Sequence, residues 1–302
     1  MDASVELLKH VLPAVVHIHT EVPSAHPSTR MLGDERMGTG IVVSRDGLIL
    51  TVNYVVMGGK SIEITFERGR SQRAEIVAQD FDVGLALLKV KRQGLPAPPI
   101  VHSDALARGT PVFALASQGG RERRVASGIV TYLGEFEAHW EYFLERSVVS
   151  SAPNPGYGGG ALFNLLGQVA GLVSLNLSEI ARNSLAIPME CYEQNREELL
   201  RYGRVVSRPQ RAWLGVFAHP LEEGVMVAGV VPNGPGARSG VQEGDVIVAL
   251  DSQEVPTRKD LYQSLWRHGP GERIALEVLR DNELRVVHVT GGDRAEFYKQ
   301  IS

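Results

Sequence analysis

The stretch Asn154-Pro155-Gly156-Tyr157-Gly158-Gly159-Gly160-Ala161-Leu162 decides how the rest of the chain is read. Four of the five residues from 156 to 160 are glycine. Glycine reaches backbone conformations closed to other residues and loses the most conformational entropy when ordered. Such a run marks a turn shaped by backbone, with few side chains to do chemistry. It opens into the apolar segment 160–164, which is short and bounded by turn residues, so it reads as a β-strand.

On both sides the same pattern continues. Segment 40–44, the pair Asp46-Gly47 and segment 48–51 read as a β-hairpin with Asp-Gly at its turn. Further strands are expected over 61–66, 73–79, 84–90, 111–116, 127–133, 146–150 and 169–175. Helical spacing of Val5, Leu7 and Leu8 marks 3–10, and Pro13 then opens an extended run over 14–20. Residues 21–37 are mostly polar, with two prolines, and read as a long surface loop. Helical signal is then nearly absent until Pro188; 190–202 carries Leu199 and Leu200 and closes on Gly203, placed as a helix C-cap.

A polar connector with a proline, 205–211, marks a domain boundary, and the pattern restarts beyond it. Strands are expected over 213–217, 224–231 and 244–250, with one helical turn at 235–240. Residues 257–268 read as an amphipathic helix with Leu261, Leu265 and Trp266 near one face. A hairpin closes across Asp281-Asn282. The fold class is mainly β, with one domain over 1–204 and a second over 205–297.

The chain has 302 residues, 43% hydrophobic and 22% charged, as expected for a water-soluble globular protein. A formal net charge of −4 gives no electrostatic case for nucleic acid or an anionic membrane surface. The basic cluster Arg121-Glu122-Arg123-Arg124 follows Gly119-Gly120 and reads as a solvated hairpin tip. A single cysteine, Cys191, excludes an intrachain disulfide, and it reads as a packed thiol rather than a nucleophile. His17 and His19 share a strand face, a spacing open to a metal pair. A site needs roughly three or four ligands, no partner lies nearby in sequence, and no metal or cofactor is expected. No basic segment followed by an apolar one marks a secretory signal at the N-terminus, and no run approaches the roughly 18 apolar residues of a membrane span. The expected location is the cytoplasm, or outside it (the periplasm) if a leader has been trimmed.

The 154–162 segment resembles the nucleophile loop of the HtrA (Deg) family, which reads N-P-G-N-S-G-G-x-L. Segment Gly38-Thr39-Gly40-Ile41 with Leu50-Thr51-Val52-Asn53-Tyr54-Val55-Val56 is similar to the family's G-S-G-x … L-T-N-x-H-V-V. Leu85-Ala86-Leu87-Leu88-Lys89-Val90 is similar to its D-L-A-V-L-K-V strand, and Leu185-Ala186-Ile187-Pro188 to its F-A-I-P-x exit. Arg108–Val112 and Ser127–Val130 resemble framework strands of its second barrel. In the second half, Trp213-Leu214-Gly215-Val216 resembles the carboxylate-binding loop of a PDZ domain, and Gly240-Val-Gln-Glu-Gly-Asp-Val-Ile its G-L-x-x-G-D-x-I signature. The resemblance covers nearly the whole chain. It implies a trypsin-like double β-barrel followed by a PDZ domain.

Residue-by-residue transfer puts Tyr54 at the histidine position, Gly84 at the aspartate position and Gly158 at the serine position. A serine protease needs an attacking hydroxyl, a base and an orienting carboxylate in one cleft. Tyrosine, with a pKa of about 10, is a poor base near neutrality, and glycine supplies neither oxygen nor carboxylate. The nearest substitutes are Asp82, expected on the same strand face as Gly84 but roughly 6–7 Å away, and Ser150 and Ser151 ahead of the loop. Catalysis tolerates misplacement of about 1 Å poorly, so a rebuilt triad is not expected. Gly156, Tyr157 and Gly158 form a vestigial oxyanion loop, either still offering NH groups to a carbonyl or relaxed into an empty turn.

The PDZ half is expected to bind protein C-termini through Trp213, Leu214, Gly215, Val216 and Phe217, with Leu261 and Leu265 on the facing helix. Gly244-Asp245 is expected to serve the fold. The aromatics Phe136, Trp140, Tyr142 and Phe143 fall in a region resembling the family's regulatory loop, either packed on the barrel or mediating self-association. Family resemblance implies a homo-oligomer, a trimer. The function expected is that of a catalytically inactive, chaperone-like or scaffolding polypeptide binder in protein quality control. The alternatives are a serine-type endopeptidase using a non-standard nucleophile and a regulatory subunit of an active HtrA assembly.

Overall fold

The computed structural model describes residues 3–177 and 183–299. Short strands bearing Val, Ile and Leu, separated by glycine turns, close into two antiparallel barrels within residues 1–206. The first joins β1 (Val15–Glu21), β2 (Glu35–Val42), β3 (Leu48–Val52), β4 (Ser61–Thr65), β5 (Ser71–Asp80) and β6 (Leu85–Val90) in the order β1-β2-β3-β6-β5-β4. All five residues of β3 are buried, so its sequence reads as a continuous rather than alternating apolar run. The second joins β7 (Pro111–Gly119), β8 (Glu122–Ala138), β9 (Tyr142–Ser150), β10 (Gly160–Asn164), β11 (Val169–Leu177) and β12 (Asn183–Pro188) in the order β10-β11-β12-β9-β8-β7. β10, delivered by the glycine-rich turn, pairs with β7 through Ala161↔Leu115 and with β11 through Ala161↔Leu172. The second barrel is filled by Val112, Ala114, Val130, Val148, Leu162, Ala170, Val173 and Ala186. Closure removes the open edges that a single sheet would expose.

Helices are peripheral in this part: α1 (Ala3–Val11), α2 (Thr29–Leu32), α3 (Asn53–Val56), α4 (Glu190–Glu193) and α5 (Arg196–Tyr202). Gly203 ends α5 in the left-handed region, at φ 70°, with its NH on Leu199 O. Residues 21–37 differ from the surface loop read from their polarity. β1 runs to Glu21, β2 starts at Glu35, and His26, Ser28 and Arg36 between and beside them are buried. Arg36 explains the burial of so polar a segment: Nη1 donates to Tyr54 O and Met57 O at 2.9 Å each, and Nε to Gly33 O. Its guanidinium closes the C-terminal end of α3, where helix carbonyls lack intrahelical donors. Burial draws its pKa down to about 10.

The second part is a six-stranded sheet in which β13 (Val216–Pro220), β14 (Val225–Val230), β15 (Val246–Leu250), β17 (Arg273–Arg280) and β18 (Glu283–Thr290) are ordered β13-β14-β15-β17-β18, with β16 (Gln253–Glu254) on β15. Around it lie α6 (Pro235–Arg238), α7 (Arg258–Leu265) and α8 (Arg294–Lys299). The Thr257 side chain caps α7 by accepting the Asp260 NH, the usual role of Thr at that position. Asp281 and Asn282 both have positive φ, 54° and 62°, the two-residue turn that best matches strand twist. Asp245 serves the frame: its carboxylate accepts Arg280 Nε at 2.6 Å, Arg280 Nη2 at 2.7 Å and Gln242 NH at 2.9 Å.

Compactness divides the chain into residues 1–135 with 144–206, and residues 136–143 with 207–302. Strand β8 is longer than the 127–133 segment read from the sequence. The tip of the β8–β9 hairpin, 136–143, is therefore grouped with the second unit. Of the aromatics there, Phe143 lies edge-on to Trp266 at 6.5 Å, beneath Lys259 Nζ at 5.7 Å.

Candidate functional site

In the first unit, the fold brings Tyr54 and Gly158 together. Tyr54 lies in α3, just after β3, and its hydroxyl donates to Ser174 O in β11 at 2.7 Å. A Cβ placed on Gly158 would collide with Tyr54 Oη. The phenol thus fills the space a side chain at 158 needs, and burial raises its pKa above the normal tyrosine value. Such a group is a neutral donor at any physiological pH, not a base.

Gly84 sits at φ 78°, in a turn that separates β5 from β6. Its carbonyl accepts the Asn53 NH at 2.8 Å and its NH donates to Asp80 O at 2.9 Å, tying it to the start of α3. This corrects the expected strand over 84–90 at its first residue, and with it the placement of Asp82. Asp82 is in the turn, its NH on Asp80 Oδ1 at 3.0 Å, not two residues along a strand from Gly84. The left-handed backbone also makes residue 84 strained for any side-chain-bearing residue.

The 156–158 turn is held by its own backbone. Gly156 NH donates to Asn154 Oδ1 at 3.3 Å and Tyr157 NH to Ser117 O at 2.8 Å. Gly158 O accepts the Thr39 NH at 2.8 Å, while Thr39 Oγ1 donates to Tyr157 O at the same distance. Gly156 NH is therefore turned to Asn154, which removes it from the pair of NH groups an oxyanion would need. Beneath the turn, His17 Nδ1 is 3.0 Å from Ser117 Oγ, which also takes Arg123 Nη1 at 3.3 Å. Burial, then the charges of Arg123 and His19, lowers the His17 pKa to about 4. His19 instead meets Glu35 Oε1 at 2.9 Å, so the two histidines that share a strand face go to different partners. Among the described residues no group of three or more His, Cys, Asp or Glu is placed to hold a metal ion.

Ser150 is fully buried and its Oγ is 3.3 Å from Ser184 Oγ and 3.4 Å from Ala152 O. Ser151 is exposed and accepts the Ile129 NH at 3.0 Å.

In the second unit, Leu214, Gly215 and Val216 direct their NH groups at one carboxylate, that of Glu141. Leu214 NH reaches Oε2 at 3.0 Å; Gly215 and Val216 NH reach Oε1 at 2.7 and 3.0 Å. Trp213 packs beside α8, its ring 4.8 Å from Phe297 and 5.7 Å from Tyr298. Phe217 faces His139 at 5.8 Å between ring centres. Leu261 and Leu265 lie fully buried in the apolar core of the sheet. On α7 the polar contacts to residues 136–141 come from elsewhere: Tyr262 Oη donates to Ala138 O at 2.6 Å and accepts the Glu141 NH at 3.0 Å. Arg258 Nη2 is 3.1 Å from Glu137 Oε1 and 3.3 Å from Glu137 O. Glu141, Tyr262, Arg258 and Arg294 were not legible as site residues in the sequence. An acidic residue 73 positions before the loop it binds leaves no local pattern.

A double antiparallel barrel of trypsin type followed by a small sheet with a carboxylate-binding loop defines the class. Residues 38–172 match the trypsin-like peptidase domain and residues 212–290 the PDZ domain. The chain is 34% identical over 286 residues to a probable periplasmic serine endoprotease, DegP-like, of Halomonas elongata, covering 88% of this chain and 59% of the relative. It is 27% identical over 279 residues to the serine endoprotease DegS of Haemophilus influenzae, covering 89% and 81%. The solved HtrA-type protease AlgW with a decapeptide superposes with a TM-score of 0.59 at 26% identity, covering 97% of this chain and 99% of that one. The chain belongs to the HtrA/Deg family of trypsin-like, PDZ-bearing proteins, and it spans about three fifths of the length of the DegP-like relatives. No helix among the described residues is long and apolar enough to cross a membrane.

These relatives correct the function expected from the sequence. Relatives that match along most of the chain are named serine endoproteases, which overturns its reading as a catalytically inactive, chaperone-like or scaffolding polypeptide binder. Tyr54, Gly84 and Gly158, expected at the positions of a Ser-His-Asp set, bear on one mechanism in one cleft, not on whether a chain serves proteolysis. The names stand with the alternatives, a peptidase with another nucleophile or a subunit of an active assembly.

Proposed function

We propose that the chain takes part in endoproteolysis of polypeptides as a subunit of an HtrA-type assembly, in which subunits with a complete Ser-His-Asp set do the cutting. The observation that carries this reading is Tyr54 Oη, anchored on Ser174 O and filling the space at Gly158. No serine hydroxyl stands at that point, and the oxygen that does belongs to a neutral phenol in place of a base. The assembly is read as a trimer, as the family resemblance implies, and as periplasmic, the location in the names of the DegP-like relatives. Protein C-termini are the ligands of its PDZ unit.

The test is to mix the purified chain with a full-triad HtrA-type protease and follow both mass, by light scattering, and casein turnover. Joint assembly with an altered turnover rate is expected, with no turnover by the chain alone. A chain that remains monomeric at high concentration and leaves turnover unchanged would overturn it.

A second reading, an endopeptidase with a nucleophile of its own, is favoured by the relatives' names. Ser151 is the exposed candidate; Ser150 is closed in between Ser184 and Ala152. Labelling by a fluorophosphonate probe, lost on Ser151→Ala, would establish it in place of the first.

A further inference from the structure

The segment Phe136-Glu137-Ala138-His139-Trp140-Glu141 lies along the open edge of β13. That edge has β14 on one side only. On the other side Ala218 NH donates to His139 O at 2.7 Å. Glu141 lies opposite residues 214–216 and His139 opposite residue 218, so the segment runs antiparallel to β13. The two contacts are two residues apart on the segment, the repeat of an extended strand. This is the way a peptide adds to a PDZ sheet: the backbone pairs with the edge strand and the terminal carboxylate enters the nest of NH groups.

Glu141 is placed as that carboxylate. It is 2% exposed and receives three backbone NH donors. Its own backbone is held as well: Arg294 Nη2 donates to Glu141 O at 2.7 Å and to Trp140 O at 3.1 Å, and Tyr262 takes the Glu141 NH. Glu141 has a φ of 55°, a left-handed conformation that costs a non-glycine residue roughly 1–3 kcal/mol and persists only where its surroundings enforce it. The bend turns the side chain, rather than the main chain, into the loop. A chain that continues into β9 has no terminal carboxylate to offer there, and the glutamate supplies an equivalent one.

We propose that the hairpin tip 136–141 is a built-in ligand of the peptide groove, with Glu141 as its carboxylate, and that protein C-termini bind only by displacing it. The inference rests on the peptide-binding reading of the PDZ unit, and it is independent of whether the chain cuts polypeptides. Affinity for an external C-terminus is then set by the fraction of molecules with the tip released. A groove open one time in ten weakens apparent binding about tenfold. Because the tip joins β8 to β9, displacement also frees the end of a hairpin whose stem belongs to the second barrel.

Hydrogen exchange on the full chain provides the first test, without any added ligand. In the wild type, the amides of Leu214, Gly215 and Val216 exchange slowly. In Glu141→Ala they exchange at least about tenfold faster, while β17 and β18 keep their protection and so report an intact unit. Equal protection at 214–216 in both proteins would overturn the proposal. A fluorescein-labelled decapeptide with C-terminal valine provides the second. It is expected to bind Glu141→Gln at least about tenfold more tightly than wild type, and its C-terminal amide neither. Tighter binding of the free acid by wild type than by the variant would also overturn it. If neither protein binds the peptide, the peptide-binding reading fails, and the exchange result still decides whether Glu141 occupies the loop.

Discussion

Two places where the sequence led us to expect a site, the turn at Gly158 and the loop at 214–216, are occupied by the chain itself, but in different ways. In the trypsin-like unit the occupant is a phenol on a short helix, packed against a glycine and bonded to one carbonyl. In the PDZ unit it is a carboxylate on a hairpin tip, held by three NH groups. The first filling is an aromatic side chain with a single hydrogen bond, packed within the frame of two barrels, so removing it means repacking its surroundings. The second is polar and, under the proposal that Glu141 is a built-in ligand, mimics an external carboxylate, which could then replace it bond for bond. Apolar packing closes a site for good, whereas mimicry leaves it open to competition.

The largest break in this contrast comes from putting a side chain back at 158. Gly158→Ser drives Oγ and Cβ against Tyr54 Oη and is expected to lower unfolding free energy by about 3 kcal/mol, the upper end for overpacking. Tyr54→Phe removes the colliding oxygen and leaves the Ser174 carbonyl without its donor, at about 1 kcal/mol. The double variant should be at least 1 kcal/mol more stable than the sum of the singles, measured by urea denaturation. Additive losses would mean that the two residues do not share one space.

The next effect is a pH response confined to the barrels. His17 has its folded pKa lowered to about 4 from 6.5, chiefly by burial, so the unfolded chain binds a proton more readily than the folded one. The stability this neutral histidine lends is complete above pH 6.5 and lost as pH falls to 4. The loss is about 3 kcal/mol, at about 1.4 kcal/mol per pKa unit. His17→Gln should flatten that part of the curve while carboxylates elsewhere still titrate. A parallel curve for the variant would place the pH response in other groups.

Much of this contrast was legible in the residues. The Asp281-Asn282 turn, the Gly203 cap and the strand after the glycine run follow from local backbone preferences that each sequence element carries by itself. Tyr54, Gly84 and Gly158 were expected in one cleft from the motif frames around them, and the structure brings Tyr54 and Gly158 together. What their pattern did not carry is that the phenol reaches the glycine, since 104 positions separate the two and only the folded barrels bring them together. The same holds for Glu141. A hairpin tip of aromatics and two acids reads equally as a packed loop or as an interaction surface, and the partner of Glu141 comes more than seventy residues later. Polar residues at 21–37 misled because Arg36 takes its acceptors from α3, which composition does not show.

A third prediction separates the two buried carboxylates of the PDZ unit. Asp245, with a side chain 1% exposed, belongs to the frame through Arg280 and the Gln242 NH. Asp245→Asn keeps the shape but weakens charge-assisted bonds and is expected to cost about 2 kcal/mol of stability. Glu141→Gln, by contrast, should change groove access with a smaller loss. If urea denaturation gave Glu141→Gln the greater loss, Glu141 would belong to the frame, and the distinction between a replaceable filling and a permanent one would fall.

The smallest effect is the most local. Tyr262 Oη bridges the tip by donating to Ala138 O and accepting the Glu141 NH, and burial raises its pKa above the usual tyrosine range. Tyr262→Phe keeps the ring, and with it the stacking on Trp266 at 5.2 Å, while deleting both bonds. Each is worth about 1 kcal/mol or less, because water takes over the freed groups once the tip lifts. The variant should therefore exchange its 138–141 amides several-fold faster and bind the free-acid decapeptide several-fold more tightly, with global stability nearly unchanged. The direction matters more than the size. A replaceable filling predicts that weakening the tip strengthens external binding, whereas a Tyr262 that merely shapes the groove predicts weaker binding in the same variant.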